Sequence, residues 1–448
     1  MAILPELRRS MKLLHATAMV VGIILGATIF IQPSEITRLV PNTQGLFMVW
    51  VAAGALTFCG ALVCAELTAA FPLTGGIYVF LKRTYSPSLG FLWGWAMFWS
   101  MHSGIIAAIA AVLARYVAYF IPLSENGIRL VAISVVLLLS GLNILGVKTG
   151  STVQVVLTIA KVVAIVGMVF LFFWFGTAAH HSLPVADANP APVPFANYGL
   201  AIAAGLFSFG GWHMVTYAAG ETLDPERTIP RALLIGTLIV TAAYILLNAG
   251  YLYVLPLTDV ARSTHVAADA TEHVLGTGAS SVISAVVILS ALGALNGIIL
   301  AGPRVYYAMA QDGLVFRFMG AVHPSLCTPY LAIIAQALWT SVLVATNSYR
   351  QLFTRVVYTE WLFFALLVAG LFILRRRNEY VPVYLKRGYP VVPLLFILAS
   401  LGIVINQVIA DPRGCTMGFG LVLLGLPVYF LWAKFSPKPS SEQNSQPS

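Results

Sequence analysis

The chain has 448 residues, of which 59% are apolar and only 9% charged, with a mean hydropathy of +0.88. A soluble domain carries roughly 25% charged residues because its surface must face water, so an ordinary soluble enzyme is excluded. The net charge of +9 does not point to nucleic acid either, because the basic residues lie in short loops and not on one soluble face.

The charges are spaced unevenly. No Asp, Glu, Lys or Arg occurs in 84–114, 188–220, 232–258, 273–303 or 318–349. A helix crosses a bilayer core with about 20 apolar residues, and each tract exceeds that length. The reading is a polytopic, all-α integral membrane protein. Apolar runs set against charged or Pro/Gly punctuation give twelve spans, at 13–36, 46–69, 87–120, 128–146, 151–176, 195–220, 230–255, 279–310, 329–346, 352–374, 390–409 and 415–434. With the N-terminus inside, 17 Lys/Arg fall in cytoplasmic segments and seven in outer loops, which predicts that both termini are cytoplasmic. Residues 1–12 are then a cytoplasmic N-terminus, and the Ser/Pro/Gln-rich tail 437–448 is expected to be disordered. Arg8, Arg9 and Lys12 precede an apolar run, but it continues past signal-peptide length without an A-x-A site.

Two spans are interrupted. The first contains Gly22-Ile23-Ile24-Leu25-Gly26-Ala27-Thr28-Ile29-Phe30-Ile31-Gln32-Pro33, and the sixth contains Gly205-Leu206-Phe207-Ser208-Phe209-Gly210-Gly211-Trp212-His213. Five spans begin with each. Paired interruptions at equivalent positions are the sequence pointer to a transporter built from inverted repeats with a midplane site. An odd number of helices per repeat makes the second half inverted. The expected organisation is therefore one repeat at 13–176, a second at 195–374, and two extra helices at 390–434. Close helix packing through glycine is the plainer alternative.

Other chemistries are poorly supported. Cys59, Cys64, Cys327 and Cys415 form neither a CxxC pair nor a zinc spacing. Gly141-Leu142-Asn143-Ile144-Leu145-Gly146-Val147-Lys148-Thr149 approaches a P-loop, but Val147 interrupts the required order. No H-E-x-x-H or G-x-S-x-G occurs. The expectation is a protein that is not an enzyme and needs no cofactor or metal.

Five segments, in order, carry a family resemblance. They are Gly26-Ala27-Thr28-Ile29-Phe30, Glu66-Leu67 with Gly75-Gly76-Ile77-Tyr78, Gly205 to Trp212, Asp224-Pro225-Glu226-Arg227-Thr228-Ile229-Pro230-Arg231-Ala232, and Arg304-Val305-Tyr306-Tyr307-Ala308-Met309-Ala310-Gln311-Asp312-Gly313. The chain resembles the amino acid–polyamine–organocation superfamily, and within it the L-type amino acid transporters, from about residue 12 to 435. The resemblance implies a LeuT-type fold with helices one and six unwound. It also implies sodium-independent alternating access, by exchange or proton linkage, with neutral L-amino acids as substrates. A cationic amino acid or polyamine exchanger and a non-transporting amino acid sensor remain as alternatives.

A zwitterionic amino acid needs both charged ends satisfied away from water, since unpaired buried charge is very costly. A broken helix offers N–H groups at one lip and carbonyls at the other. By resemblance, the N–H groups of Ala27, Thr28 and Ile29, beside Gly26, would take the carboxylate. The carbonyls of Ile24, Phe207 and Gly210, near Ser208 and Trp212, would take the ammonium. Thr28 stands where the family has a second glycine, so a β-branched residue there would be strained if φ were positive.

Lys161 sits about ten residues into the fifth span. By resemblance its ammonium replaces the cation of sodium-coupled relatives, between helices one and eight, with Ser290 as a possible neighbour; the alternative is a lysine snorkelling to the interface. His213 and Glu360 fall where related chains have neutral amides, and both are expected to bear on the substrate side chain or on structure. His102, midway along the third span, and Glu66 read mainly as structural. The loop Phe120 to Gly127 has no cysteine, whereas eukaryotic relatives link there to a glycoprotein. A disulfide-linked heavy subunit is therefore not expected, which suggests a bacterial inner membrane.

Overall fold

The computed structural model describes residues 7, 9–176, 193–276, 278–346, 349–385 and 388–435, with side chains omitted at 147, 349–357 and 435. The tail 437–448 lies outside the described residues. All regular structure among them is helical, apart from one isolated bridge between Met11 and Thr222. In chain order the α-helices are α1 (Leu13–Ile24), α2 (Gln32–Leu39), α3 (Thr43–Ala70), α4 (Ile77–Thr84), α5 (Pro87–Ala96), α6 (His102–Val117), α7 (Glu125–Ile144), α8 (Val147–Phe175), α9 (Phe195–Ser208) and α10 (Pro225–Val254). They continue as α11 (Leu257–Arg262), α12 (Val266–Leu275), α13 (Ala279–Ala301), α14 (Pro303–Gln311), α15 (Tyr330–Thr346), α16 (Tyr349–Leu374), α17 (Val391–Ala410), α18 (Pro412–Leu423) and α19 (Gly425–Phe435). Ten helical segments among the described residues are long and apolar enough to cross a membrane. The ninth and tenth expected spans correspond to shorter apolar stretches, Tyr330–Thr346 and Tyr358–Leu374.

Local chemistry sets the helix starts. The side chains of Asn42, Ser86, Ser124 and Asp411 each accept from a backbone N–H three residues on, and Pro follows directly after Ser86 and Asp411. Such caps satisfy donors that a helix start leaves free, and proline at the first turn loses nothing because its missing N–H had no partner.

α8 shows how the sequence is turned inside out. Gln154, Thr158, Lys161, Ile165, Met168 and Phe172 recur at helical spacing and are buried, while Val156, Ile159, Val163, Val166 and Phe170 are exposed. The polar residues face protein and the large apolar ones face outward. A water-soluble helix has the opposite arrangement, so this face meets lipid. The buried stripe packs on α1 and α13, and α1 also packs on α10. Lys161 therefore points into the protein and does not snorkel.

One end of the bundle is tied by a compact set of bonds. The Ser10 and Met11 N–H groups donate to the Glu221 carbonyl at 2.8 and 2.9 Å, and the Leu223 N–H donates to the Met11 carbonyl at 2.9 Å. The Glu221 carboxylate takes a two-pronged contact from Arg304, Nε at 3.0 Å and Nη2 at 3.1 Å, with both side chains wholly buried. Nearby in sequence to Arg304, Asp312 accepts from the Tyr78 hydroxyl at 2.5 Å and pairs with Lys82. Burial, with Asp312 alongside, pushes the Tyr78 phenol well above its ordinary range. Glu66 is structural as expected. It accepts from the backbone N–H groups of Val383, Tyr384 and Leu385, from Tyr380, and from Arg375 at 3.4 Å. It thereby fixes the connection between α16 and α17 to α3.

Candidate functional site

The first span breaks where the sequence suggested. α1 stops at Ile24, Leu25 and Gly26 leave helical geometry, and a 3-10 turn runs Ala27–Phe30 before α2. In the sixth, α9 stops at Ser208, and Gly211 takes a left-handed φ of +88° before the 3-10 segment Trp212–Glu221. Only glycine fits Gly211, because its φ is left-handed and Ile23 of α1 occupies the place of a Cβ. The strain considered for Thr28 is absent. Positive φ among non-glycine residues occurs only at Asp224 and Cys327 among the described residues, and Thr28 lies in the 3-10 turn.

The two breaks face one another. Ile24, Gly26, Thr28, Phe207, Ser208 and Gly210 border one small space, together with Ile23, Ile105, Ile109 and Ile298. Ala27 and Ile29 lie in the adjoining turn with their side chains buried in the core. Their N–H groups belong to the start of that turn, where a helical segment has no internal partner for its donors. The carbonyl lip is partly engaged: Ile24 O accepts from Gly26 N–H at 2.6 Å and from the Tyr244 hydroxyl, and Phe207 O accepts from Gly210 N–H at 3.0 Å.

A second small space adjoins the first at Ile105 and is bordered by His102, Trp93, Met97, Met101, Met214, Tyr217 and Glu360. Glu360 Oε1 stands 3.6 Å from Nε2 of His213, which does not itself border the space, so the sixth and tenth spans do meet at these two residues. Trp212 lies across the His213 ring, with centroids 5.4 Å apart. His102 follows a π-helical turn, Met97–Met101, and donates through Nε2 to the Ile298 carbonyl at 2.9 Å. Such turns insert an extra residue and re-aim the side chains beyond them. His102 therefore borders the second space and also braces α13.

Lys161 lies between α1 and α13, wholly buried. Its Nζ donates to the carbonyls of Gly22, Leu25 and Ser290 at 2.7, 2.9 and 2.9 Å. An ammonium has three donors, and all three are used. The Ser290 hydroxyl donates separately to Leu25 O at 2.8 Å. Gly293 makes the room, since a Cβ there would sit 2.7 Å from Lys161 Cε.

Sequence reasoning missed Tyr244. Its hydroxyl is 2.7 Å from Ile24 O and 2.8 Å from Ser208 O, so one side chain of α10 spans both helix breaks. The available signal was a polar stripe in an apolar helix: Thr237, Tyr244, Asn248 and Tyr251 share one buried face. Ile105, Ile109 and Ile298 were also missed, and composition alone does not separate them from other apolar residues.

Residues 11–439 match the family model described as amino acid permease. The chain belongs to that family. It is 30% identical to the serine/threonine exchanger SteT of Bacillus subtilis, over 95% of this chain and 97% of the relative. It is 29% identical to the large neutral amino acids transporter small subunit 2 of Rattus norvegicus, over 97% and 82% of the two chains. The human cystine/glutamate transporter is 27% identical, over 97% and 87%. The permease is thus a multi-pass membrane protein from a family of amino acid transporters, and the family is not one of enzymes.

Proposed function

We propose that this permease carries neutral L-amino acids across the plasma membrane by alternating access, without sodium and in exchange mode. The observation that carries the reading is the pair of helix breaks facing one space bordered by six of the residues expected there. The 3-10 turn at Ala27, Thr28 and Ile29 supplies backbone donors for the carboxylate, and the carbonyls of Ile24, Phe207 and Gly210 supply acceptors for the ammonium. These groups recognise what every α-amino acid shares. His213, Glu360 and Trp212 stand beside them and select among side chains. Lys161, with three carbonyl partners, occupies the place of a coupling cation.

The accompanying architecture is twelve spans: repeats at 13–176 and 195–374 inverted relative to one another, then 390–434. The distribution of Lys and Arg supports cytoplasmic termini. The cysteine-free loop Phe120 to Gly127 supports a chain that works without a disulfide-linked subunit, in a bacterial inner membrane.

Uptake of a panel of labelled amino acids into proteoliposomes, with and without internal amino acid, tests the reading. Correctly inserted, folded protein that moves none of them would refute transport and leave a sensor. A preference for lysine, arginine or polyamines would replace the neutral class with the cationic one, a reading that Glu360, the one carboxylate bordering the second space, favours only weakly.

A further inference from the structure

A cavity of about 310 Å³ lies away from the helix breaks, between α5, α14, α15, α19 and the short 3-10 turn Arg317–Gly320. Ligand pockets begin at about that size. Phe91 and Trp95 of α5, Trp99 of the π-helical turn and Trp432 of α19 supply ring surface, and Ala335 of α15 adds only a methyl group. Trp95 Nε1 donates to Leu421 O at 2.9 Å and Trp432 Nε1 to Gly313 O at 2.8 Å, so neither indole has a donor left for an occupant. A zwitterionic amino acid finds nothing here to meet its charges, and apolar cavities of this kind do not hold water. The lining suits hydrocarbon.

Position says which hydrocarbon. α5, α14 and α19 belong to helical segments long and apolar enough to cross a membrane. From Phe91 to Trp99 the wall climbs about 12 Å of helix rise, against a hydrocarbon core of about 30 Å for both leaflets together. The cavity thus reaches through much of one leaflet.

The rim carries charge. Phe316 and Phe318 line the cavity and are nevertheless exposed, and Phe316 packs edge-on against Trp432 with centroids 4.8 Å apart. Arg317 lies between the two phenylalanines in sequence, and Lys434 follows Trp432 by two residues. Both cations are exposed, and neither is in an ion pair among the described residues. Aromatic rings beside cations are the pattern of a membrane interface, where basic residues attract anionic headgroups.

We propose that this cavity holds one acyl chain of an anionic phospholipid, with the headgroup at the rim marked by Arg317 and Lys434. The seated chain joins α5 to α14, α15 and α19 across a void whose walls otherwise forfeit packing contacts. α5 continues through the π-helical turn into α6, whose first residue is His102. The lipid therefore braces the helix that borders the second space. The inference needs only that the chain lies in a bilayer, whatever solute it carries.

Native mass spectrometry of the full chain tests this, with the protein purified in mild detergent and supplied with phosphatidylglycerol or phosphatidylcholine. One retained phosphatidylglycerol per chain is expected, held at least about fivefold more than phosphatidylcholine, the effect of one basic residue beside an anionic surface. Ala335→Trp, which fills the cavity with an indole, should lose both lipids; if it does not fold, Ala335→Leu takes its place. Arg317→Gln with Lys434→Gln, at two exposed positions, should keep a lipid and lose the preference between headgroups. Glycerol 3-phosphate, which has the anionic group without a chain, should not displace the lipid. No retained lipid in the wild type, or full retention by the folded cavity-filling variant, overturns the proposal. So does an unchanged headgroup preference in the double variant, or displacement by glycerol 3-phosphate. Lipid shed as the wild type forms dimers overturns it as well, and gives the cavity to a second copy of the chain.

Discussion

Lys161 and His213 are both wholly buried ionisable residues, yet the protein treats them oppositely. Lys161 has three donors and three carbonyl acceptors, each within 2.9 Å. His213 has two ring nitrogens and no acceptor or donor in reach, with a carboxylate at 3.6 Å. The first group is complete without a ligand. It joins the α1 break to α13 and α8, and its room is cut by Gly293. The second is held by ring contacts, and its neighbour Glu360 borders the space next to the helix breaks. A buried ammonium with three acceptors makes a fixed joint between helices, whereas the His213 ring is set among aromatic rings beside a carboxylate.

That contrast sets an order of expected effects. Lys161→Ala should be largest, because hydrogen bonds to charged groups contribute roughly 1.5–3 kcal/mol each and three are lost together. Flux normalised to folded protein is expected to fall more than about tenfold, further than the folded yield. Parallel loss of flux and yield would make Lys161 a structural residue only.

Gly293→Ala attacks the same joint without removing the charge. The added Cβ must displace the lysine or α13, and overpacking of this kind costs roughly 1–3 kcal/mol. A lowered melting temperature with reduced exchange is expected. An unperturbed melting curve would mean that the joint is softer than its geometry implies.

Glu360→Gln and His213→Asn act on the second group. They should leave transport of some amino acid intact while changing the ranking of substrates or the pH optimum. Unchanged ranking and pH profile in both would reduce the two residues to packing. The smallest effect is no effect: replacing sodium by choline should leave uptake unaltered if, as proposed, Lys161 stands in the cation's place. Strict sodium dependence would undo the comparison at its firmer side.

Much of this was legible in the sequence because membranes make rare residues conspicuous. A lone lysine inside an apolar helix, and glycines grouped within two spans five helices apart, stand out against leucine and valine. The breaks at 24–27 and 208–211 were expected for the same reason, and a break leaves N–H and C=O groups without partners, on which the proposed roles of Ile24, Gly26, Ala27, Thr28, Ile29, Phe207 and Gly210 rest. What stayed hidden was anything decided by neighbours. Ile105, Ile109 and Ile298 border the site, but an apolar residue facing lipid looks the same in sequence as one facing substrate. Tyr244 belonged to a visible polar stripe, yet only packing places its hydroxyl against two carbonyls. Thr28 was legible as an oddity whose strain depended on a positive φ, and the left-handed conformation lies at Gly211 instead.

Glu221 has one further consequence. Its carbonyl holds Ser10 and Met11, and its carboxylate holds Arg304, so a single residue secures two unrelated parts of the chain. A displacement of the sixth span at Glu221 is therefore passed to the segment before α1 through the backbone and to Arg304 of α14 through the carboxylate. The residues just before α1, which touch neither substrate nor Lys161, become mechanical reporters of the sixth span.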